Sequence, residues 1–302
     1  MRAAKAKGAV GVVGLGIMGG AFAKHLAAAG WRVVGFDIDT ARCRLMAKLG
    51  VEIAKNAAAV AKEVPIIITS LPSPKALDLT VKAIANARLP RRIVVEASTF
   101  TLADKERAEA VLRKAGHVML DSPVSGTGAQ AQTKDLVIYA SGDTKSIAKV
   151  KPVYADFSRK AYDLGAFGNG SRMKYVANHL VAINNVATAE AMVLGMKAGL
   201  DPRMIFEMVS TGAGNSRIFE LRAPMMVADR YDNATMKMSV WQKDMQVIGD
   251  YAEQIGCPTP MFSATLPVYA AAMKSHADED TAAVCAVLEK QAGFKRKSRK
   301  KR

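Results

Sequence analysis

The sequence predicts an α/β protein: an N-terminal doubly wound parallel sheet, a long interdomain helix and an all-α C-terminal domain. Two patterns carry this prediction. Over residues 9–140, short apolar segments alternate with helical patterns, as in a parallel sheet with crossover helices. From 171 to 197 there is no proline and one glycine, Gly195, so a helix of ~27 residues and ~40 Å is expected.

Each predicted strand is a short apolar run rich in valine or isoleucine, and each is followed by a helical pattern. The expected strands are 9–13, 32–36, 65–70, 93–96, 117–120 and 136–140. The expected helices between them are 40–49, 56–62, 75–87 and 102–114, besides one that starts at the glycine turn described next. The second half predicts helices at 201–209, 214–221, 236–255, 263–276 and 280–291, and shows no convincing strand.

A glycine turn joins the first strand to the first helix. Gly14 permits the tight turn, Gly16 lets the backbone approach a pyrophosphate, and Gly19 lets the helix pack on the strand. The second strand ends at Asp37, 18 residues after Gly19, where a carboxylate can accept hydrogen bonds from ribose hydroxyls. This order predicts a Rossmann-type dinucleotide site. A carboxylate would repel a 2′-phosphate, so we expect NAD rather than NADP.

Further candidate residues follow the ends of later strands, at the edge where parallel α/β sheets bind ligands. Leu71 and Pro72 follow the third long strand, and Ser98 and Thr99 follow the next. The segment 121–128, DSPVSGTG, offers glycine N–H groups and hydroxyls that can bind a carboxylate, although an ordinary turn has the same composition.

The long helix carries two polar residues that do not fit a plain core helix. Lys174 and Asn178 are four residues apart, so they lie on one face. Asn169 or Ser171 is expected to cap its N-terminus. Apolar residues at steps of three and four predict one buried face, made of Val176, Leu180, Ile183, Ala187, Ala191 and Leu194.

Composition excludes several classes of protein. No apolar run reaches the ~18 residues that a membrane span needs, so no membrane partner is expected. Three scattered cysteines do not predict a disulfide framework, and four isolated histidines do not predict a metal site. The net charge is +16, and 295–302 holds seven basic residues in eight, which predicts a disordered tail.

Four motifs, in this order, carry a resemblance to a known family: GLGIMG at 14–19, DSPVSGTG at 121–128, GNGSRMKYVAN at 168–178 and WQKDM at 241–245. The chain resembles the β-hydroxyacid dehydrogenases, such as 3-hydroxyisobutyrate dehydrogenase and tartronate semialdehyde (2-hydroxy-3-oxopropionate) reductase, over nearly all of 8–290. The resemblance implies a dinucleotide-binding domain at 1–165 and a helical substrate and dimerisation domain like that of 6-phosphogluconate dehydrogenase at 166–291. The predicted basic disordered tail, 292–302, lies outside the resemblance.

The resemblance also implies roles for matching residues. The implied catalytic residues are Lys174 and Asn178, and the implied substrate residues are Asn178 with Ser125, Gly126 and Thr127. The implied cofactor residues are Gly14, Gly16, Ile17, Met18, Gly19, Asp37, Leu71, Pro72, Thr99 and, from the second domain, Lys243. The chain departs from the family pattern at Ser122, Thr127, Ala177, Glu96 and Met236, which leaves the lysine chemistry in place and the exact substrate open.

The expected reaction is hydride transfer between NAD(H) and a small β-hydroxyacid or semialdehyde, with Lys174 as general acid and base. One alternative is a non-enzymatic nucleic-acid or chromatin-associated module that uses the basic tail; members of that kind are expected to lose the catalytic lysine. A second alternative is an imine reductase, which usually has another residue at the lysine position. We further expect a cytoplasmic homodimer or homotetramer.

Overall fold

The structure, a computed structural model, describes residues 7–296. The chain divides into two compact units, the first ending at Lys174 and the second beginning at Tyr175. This division lies within a continuous helix, nine residues beyond the predicted boundary after 165. Each unit has its own hydrophobic core.

The first unit is built on a six-stranded parallel sheet with the order β3-β2-β1-β4-β5-β6. Its elements are β1 (Ala9–Val13), α1 (Ile17–Ala28), β2 (Arg32–Phe36), α2 (Thr40–Ala47), β3 (Glu52–Ile53), α3 (Ala57–Glu63), β4 (Ile66–Thr69), α4 (Pro74–Asn86), β5 (Ile93–Glu96), α5 (Leu102–Lys114) and β6 (Val118–Asp121).

Successive residues of these strands point to opposite faces, and both faces are covered. Val10 and Val12 of β1 belong to one apolar cluster, whereas Val13 belongs to the other. Ile68 and Ile67 of β4 divide in the same way. Strands buried on both faces read as continuous apolar runs, which is why the sequence predicted them.

A second, three-stranded sheet completes the first unit, and the sequence did not predict it as a sheet. It has the order β7-β8-β9, and its elements are β7 (Val124–Ser125), α6 (Gly128–Gln132), β8 (Val137–Ala140), α7 (Thr144–Phe157) and β9 (Lys160–Asp163). Strand β9 reads KAYD and is largely exposed, so it carries no apolar run to signal it. Only β8 was predicted as a strand.

Helix α8 (Asn169–Lys197) has 29 residues and confirms the long helix. The predicted buried face is wrong. Val176, Leu180 and Leu194 are 54%, 53% and 74% exposed. The buried apolar positions are instead Tyr175, Ala182, Val186, Ala189, Met192, Val193 and Met196. Helix α8 has apolar residues on all of its faces, so periodicity alone cannot predict which face packs against the core.

In the second unit the remaining helices pack with α8 around one core, and the described residues there form no strand. Side chains cap two of these helices: Asp201 caps α9, and Ser216 caps α10, which therefore starts at Arg217 rather than 214. The elements are α9 (Pro202–Ser210), α10 (Arg217–Ala228), α11 (Met238–Gln254), α12 (Pro260–Met273), a 3₁₀ turn (Thr281–Ala283) and α13 (Val284–Gln291).

The first residues of the predicted disordered tail, 292–296, include two that make hydrogen bonds to helices. The Ala292 carbonyl accepts a hydrogen bond from Lys197, and the Arg296 Nε donates to Glu289 Oε1 at 2.9 Å. Ala292 and Arg296 therefore bond to α8 and to the last helix of the same unit, which contains Glu289. Residues 297–302, most of the basic run, lie outside the described part of the chain.

Candidate active site

The glycine turn between β1 and α1 has the geometry that the sequence predicted. Gly14 has a φ of +90°, and a Cβ there would lie 2.1 Å from the Ser70 carbonyl oxygen. A Cβ on Gly19 would lie 1.8 Å from the Gly14 oxygen. A Cβ on Gly16 would meet nothing closer than an Arg42 nitrogen at 3.5 Å. Gly14 and Gly19 are therefore required by packing, whereas the space beside Gly16 is open to a ligand.

The N-terminus of α1 is suited to an anion. Gly16 is its N-cap and supplies no side-chain capping bond, and Ile17 and Met18 form its first turn. Side chains cap the other six helices described between 17 and 157, namely Asp39, Asn56, Ser73, Thr101, Thr127 and Asp143. Backbone N–H groups and the partial positive charge of α1 can thus serve a phosphate.

Asp37 lies at the end of β2, beside this turn. Its Oδ2 accepts a hydrogen bond from the Leu15 N–H at 2.7 Å, and its Oδ1 accepts one from the Asp39 N–H at 2.8 Å. The side chain is 6% exposed, and Arg42 lies 3.6 Å away. The carboxylate is therefore oriented against the glycine turn, where the fingerprint requires an acceptor for ribose.

Two further loops are tied together at the carboxyl edge of the sheet. The Leu71 N–H donates to the Ser98 Oγ at 2.9 Å, and the Ser98 N–H donates to Glu96 Oε1 at 2.9 Å. Pro72 and Thr99 adjoin these residues in the same two loops. The structure therefore brings together the segments after β4 and β5, as expected for neighbouring parallel strands.

The proposed carboxylate loop follows β6. Gly126 has a φ of +136°, which favours glycine, and Ser125 ends β7. Thr127 caps α6 in a capping box: its Oγ1 accepts from the Gln130 N–H, and its own N–H donates to the Gln130 side chain. The Thr127 N–H is thus engaged, while its hydroxyl hydrogen can still be donated.

Lys174 lies in the second turn of α8 and is buried, with 7% of its surface exposed. The start of this helix is held to the first unit. The Ser171 N–H and hydroxyl both donate to the Asp121 carboxylate, at 2.7 and 2.8 Å. Ser171 therefore does not cap the helix as expected, because its hydroxyl bonds to Asp121. The anchored helix start fixes the backbone one turn before Lys174.

Within the second unit, Asn178 and Lys243 lie near one buried carboxylate. Asn178 is 5% exposed, and its Nδ2 donates to Asp244 Oδ2 at 2.9 Å. Lys243, on α11, lies 3.7 Å from the other oxygen of Asp244. Met236 precedes this helix and is partly buried. The amide of Asn178 is therefore oriented by a charged acceptor.

Two family models match the chain. The NAD-binding domain of 6-phosphogluconate dehydrogenase matches residues 9–165, and the NAD-binding domain of NADP-dependent 3-hydroxyisobutyrate dehydrogenase matches 168–288. The chain belongs to the β-hydroxyacid dehydrogenase family. Members of this family are NAD(P)-dependent enzymes that act on CH–OH groups, and this chain is one of them.

Three relatives show how far the likeness extends. The L-threonate dehydrogenase of Cupriavidus necator is 28% identical, over 92% of this chain and 95% of its own. The structure of the 3-hydroxyisobutyrate dehydrogenase of Salmonella typhimurium has a TM-score of 0.83 at 28% identity, covering 92% of this chain and 99% of its own. The 3-hydroxyisobutyrate dehydrogenase of Mycobacterium tuberculosis with L-serine has a TM-score of 0.84 at 27%, covering 93% and 98%.

These findings decide several of the predictions made from the sequence. The β-hydroxyacid dehydrogenase resemblance, the Rossmann domain with a helical second domain, and the enzyme class are confirmed. The nucleic-acid alternative has no support among the relatives. The individual site residues stay predictions.

Among residues 7–296, no helix is long and apolar enough to span a membrane, and no acidic, histidine or cysteine cluster could hold a metal.

Sequence reasoning missed three buried residues of this β-hydroxyacid dehydrogenase, Asp121, Glu96 and Lys105, which contact one another and the segments that carry predicted site residues. Asp121 was taken only as the start of a loop, and Glu96 only as a departure from the family pattern. Lys105 was not singled out, although it has a detectable signal. It falls on the buried face of α5 with Ala108 and Leu112, where an apolar residue is expected.

Proposed function

We propose that this enzyme catalyses the reversible NAD-linked oxidation of a small β-hydroxyacid to its semialdehyde, with Lys174 as the general acid and base. One observation carries the proposal. Lys174 is buried on a helix whose start is bonded to Asp121, at the carboxyl edge of the sheet that also forms the glycine turn. Lysines are rarely buried, and this one stands at the position of the catalytic lysine in the motif at 168–178, which together support a functional role.

The nicotinamide, when bound, supplies or accepts the hydride. The protein must supply the proton. In reduction, the Lys174 ammonium donates a proton to the developing alkoxide and stabilises its charge. In oxidation, the neutral amine accepts the hydroxyl proton. Asn178, one turn later on the same helix and oriented by Asp244, offers its amide to the substrate.

The proposed substrate class is a small molecule with one carboxylate and at least one hydroxyl group. The names of the relatives include threonate, 3-hydroxyisobutyrate and serine, which all have these groups. In this chain, the backbone at Ser125 and Gly126 and the hydroxyl of Thr127 would bind the carboxylate through neutral donors. Thr127 and Ala177 stand where the family pattern has other residues, so they are candidates for setting which hydroxyacid is accepted.

NAD is the proposed cofactor rather than NADP, and Asp37 supports this choice. Its carboxylate is held against the glycine turn by the Leu15 and Asp39 N–H groups. A 2′-phosphate would bring about 1.5–2 negative charges beside it. Asp37→Ser should raise the ratio of kcat/KM for NADP+ over NAD+ by at least about tenfold, since charge repulsion of about 1.4 kcal/mol is removed. An unchanged ratio would refute this role.

The oligomer and the cellular location stay proposals. The exposed apolar side chains along α8, including Val176, Leu180 and Leu194, support a homodimer or homotetramer, since such a stripe is suited to an interface between subunits. The cytoplasm remains the expected compartment. Sedimentation velocity of the purified full chain would measure the oligomer directly.

A panel of C3–C5 hydroxyacids and semialdehydes, assayed with NAD(H) and NADP(H), tests the proposed reaction. With the best substrate, Lys174→Ala should lower kcat by about 10²–10⁴-fold, because it removes general acid–base catalysis. The Kd for NADH should stay within about threefold. Lys151→Ala, at an exposed position on α7, is the matched control.

Two outcomes would contradict the proposal. Turnover by Lys174→Ala within about tenfold of the wild type would remove this amine from the chemistry. The absence of turnover with every hydroxyacid, together with turnover of cyclic imines, would favour the imine reductase alternative.

A further inference from the structure

The first unit contains a cluster of three fully buried charged side chains, Lys105, Glu96 and Asp121. Lys105 on α5 has its Nζ 2.7 Å from Glu96 Oε2 and 2.7 Å from Asp121 Oδ1, and all three side chains are 0% exposed. The contact with Asp121 is also a hydrogen bond. Burial alone lowers the pKa of Lys105, but the charges of Asp121 and Glu96 outweigh it and hold that pKa above its ordinary value.

The cluster carries one more negative than positive charge, and the start of α8 offsets the excess. Asp121 accepts the Ser171 N–H at 2.7 Å in the first turn of the helix, where the helix dipole is positive. The Ser141 hydroxyl lies 3.3 Å from the same carboxylate and accepts the Gly170 N–H at 2.9 Å. The anionic side of the cluster therefore faces the N-terminus of α8.

Two chains of contacts leave Lys105 in different directions. Through Asp121 and Ser171 it reaches the turn of α8 that precedes Lys174. Through Glu96 it reaches the Ser98 N–H, and the Ser98 hydroxyl in turn accepts the Leu71 N–H. One ammonium thus links the helix that carries the proposed acid to the loops proposed to contact the cofactor.

The helix start is also pressed against the strands that hold this cluster. A Cβ on Gly170 would lie 2.2 Å from the Tyr139 oxygen and 2.8 Å from the Asp121 oxygen. A contact this close leaves no room for a water molecule or for small shifts of the helix. The cluster therefore fixes the position of the α8 start, in addition to pairing the buried charges.

We infer that Lys105 is a positioning residue of the active site: its ion pairs with Asp121 and Glu96 hold the α8 start and the Leu71–Ser98 loops in register. The inference rests on the proposed role of Lys174. It predicts that the two sides of the cluster act on different steps. The Asp121 side places the proton donor, and the Glu96 side shapes the cofactor loops.

Two nearly isosteric variants separate these sides in the full-length enzyme. In Asp121→Asn, the single amide oxygen can accept from either the Lys105 ammonium or the Ser171 N–H. We expect it to face the ammonium, because the charged donor binds it more strongly, so the helix start loses its acceptor. We expect kcat for the best substrate of the panel to fall at least about tenfold, with the Kd for NADH within about threefold. In Glu96→Gln we expect the reverse, a rise of at least about fivefold in that Kd, measured by fluorescence titration, and a smaller effect on kcat.

A readout that does not need turnover accompanies the kinetics. Trace acetylation with acetic anhydride, quantified by mass spectrometry, reports the accessibility of Lys174 in each variant. Asp121→Asn should label Lys174 at least about threefold faster than the wild type, because a loosened helix start exposes it. Asp78→Asn, which removes an exposed partner of Arg107, is the matched control and should change none of these values.

The outcomes distinguish this inference from the proposed function. The inference would be overturned if both variants kept the wild-type kcat, NADH affinity and Lys174 labelling. It would also be overturned if both variants lost kcat and NADH affinity equally, in proportion to the fraction of protein that remains folded. If Lys174→Ala keeps its turnover, the proposed function fails; the labelling and NADH measurements still decide whether the cluster positions these segments. Lys105→Arg, which keeps the charge, should retain more activity than Lys105→Met.

Discussion

Replacing Gly16 or Gly19 with alanine adds the same methyl group to two positions of one turn, with opposite expected effects. On Gly19 the new Cβ would lie 1.8 Å from the Gly14 carbonyl oxygen, whereas an ordinary carbon–oxygen contact is ~3.3 Å. The backbone of α1 or of the turn must therefore move by roughly 1.5 Å. On Gly16 the Cβ would lie 3.5 Å from Arg42, which is an ordinary contact, and its φ of −67° suits alanine.

The two geometries give different magnitudes. Overpacking costs about 1–3 kcal/mol, and Gly19→Ala should reach at least the upper end because both clashing groups are backbone. For a unit of this size, that cost lowers the Tm by roughly 6–12 °C. Gly16→Ala should change stability by less than about 1 kcal/mol and can raise it, since alanine reduces the entropy of the unfolded chain. Its effect should fall on the cofactor, with the Kd for NADH raised at least about tenfold.

Differential scanning fluorimetry without ligand and fluorescence titration with NADH measure the two quantities on the same samples. The expected result is a crossed pattern: Gly19→Ala loses stability, and Gly16→Ala loses affinity. An unchanged Tm for Gly19→Ala would refute the packing argument. An NADH Kd for Gly16→Ala within about twofold of the wild type would refute the assignment of the open space beside Gly16 to the pyrophosphate.

Three further predictions concern stability. Burial lowers the pKa of His117, so the folded state resists protonation and its stability falls as the pH drops below 6.5. The Tm of His117→Asn should therefore fall less than that of the wild type between pH 6.5 and 5, and parallel Tm curves for the two proteins would contradict this. Asp280→Asn should cost about 3–5 kcal/mol in urea denaturation, because it leaves the buried Arg222 without its charged partner; a loss below about 1 kcal/mol would contradict it. Gly195→Ala should cost about 1 kcal/mol because its Cβ meets Ile205 at 2.5 Å, and Ile205→Val should restore part of it; no recovery would place the strain elsewhere.

Much of the first unit could be predicted because its signals are local. Strands buried on both faces are continuous apolar runs, Gly14 has a φ of +90° that favours glycine, and Gly19 packs on Gly14, five residues earlier. The order of strand, turn, helix, strand and Asp37 then predicted the dinucleotide site. Strand β9 was missed for the same reason, since its exposed KAYD segment has no local signal.

The face of α8 and the support of Lys174 could not be predicted in this way. Val176 and Leu180 are as apolar as the residues that are buried, so only packing against the other helices decides which side is covered. Asp121 and Ser171 are 50 residues apart, and no local pattern pairs them. A pattern within one helix can mark Lys105 as out of place, but it cannot name its partners.

The sequence by itself determined the fold class, the glycine turn with its acid, and the family to which the chain belongs, because each depends on residues close together in the chain. The tertiary structure decided which face of α8 is buried and which carboxylates hold Lys105 and the start of α8. These outcomes depend on contacts between distant segments, whose geometry is set when the sheet and helices pack.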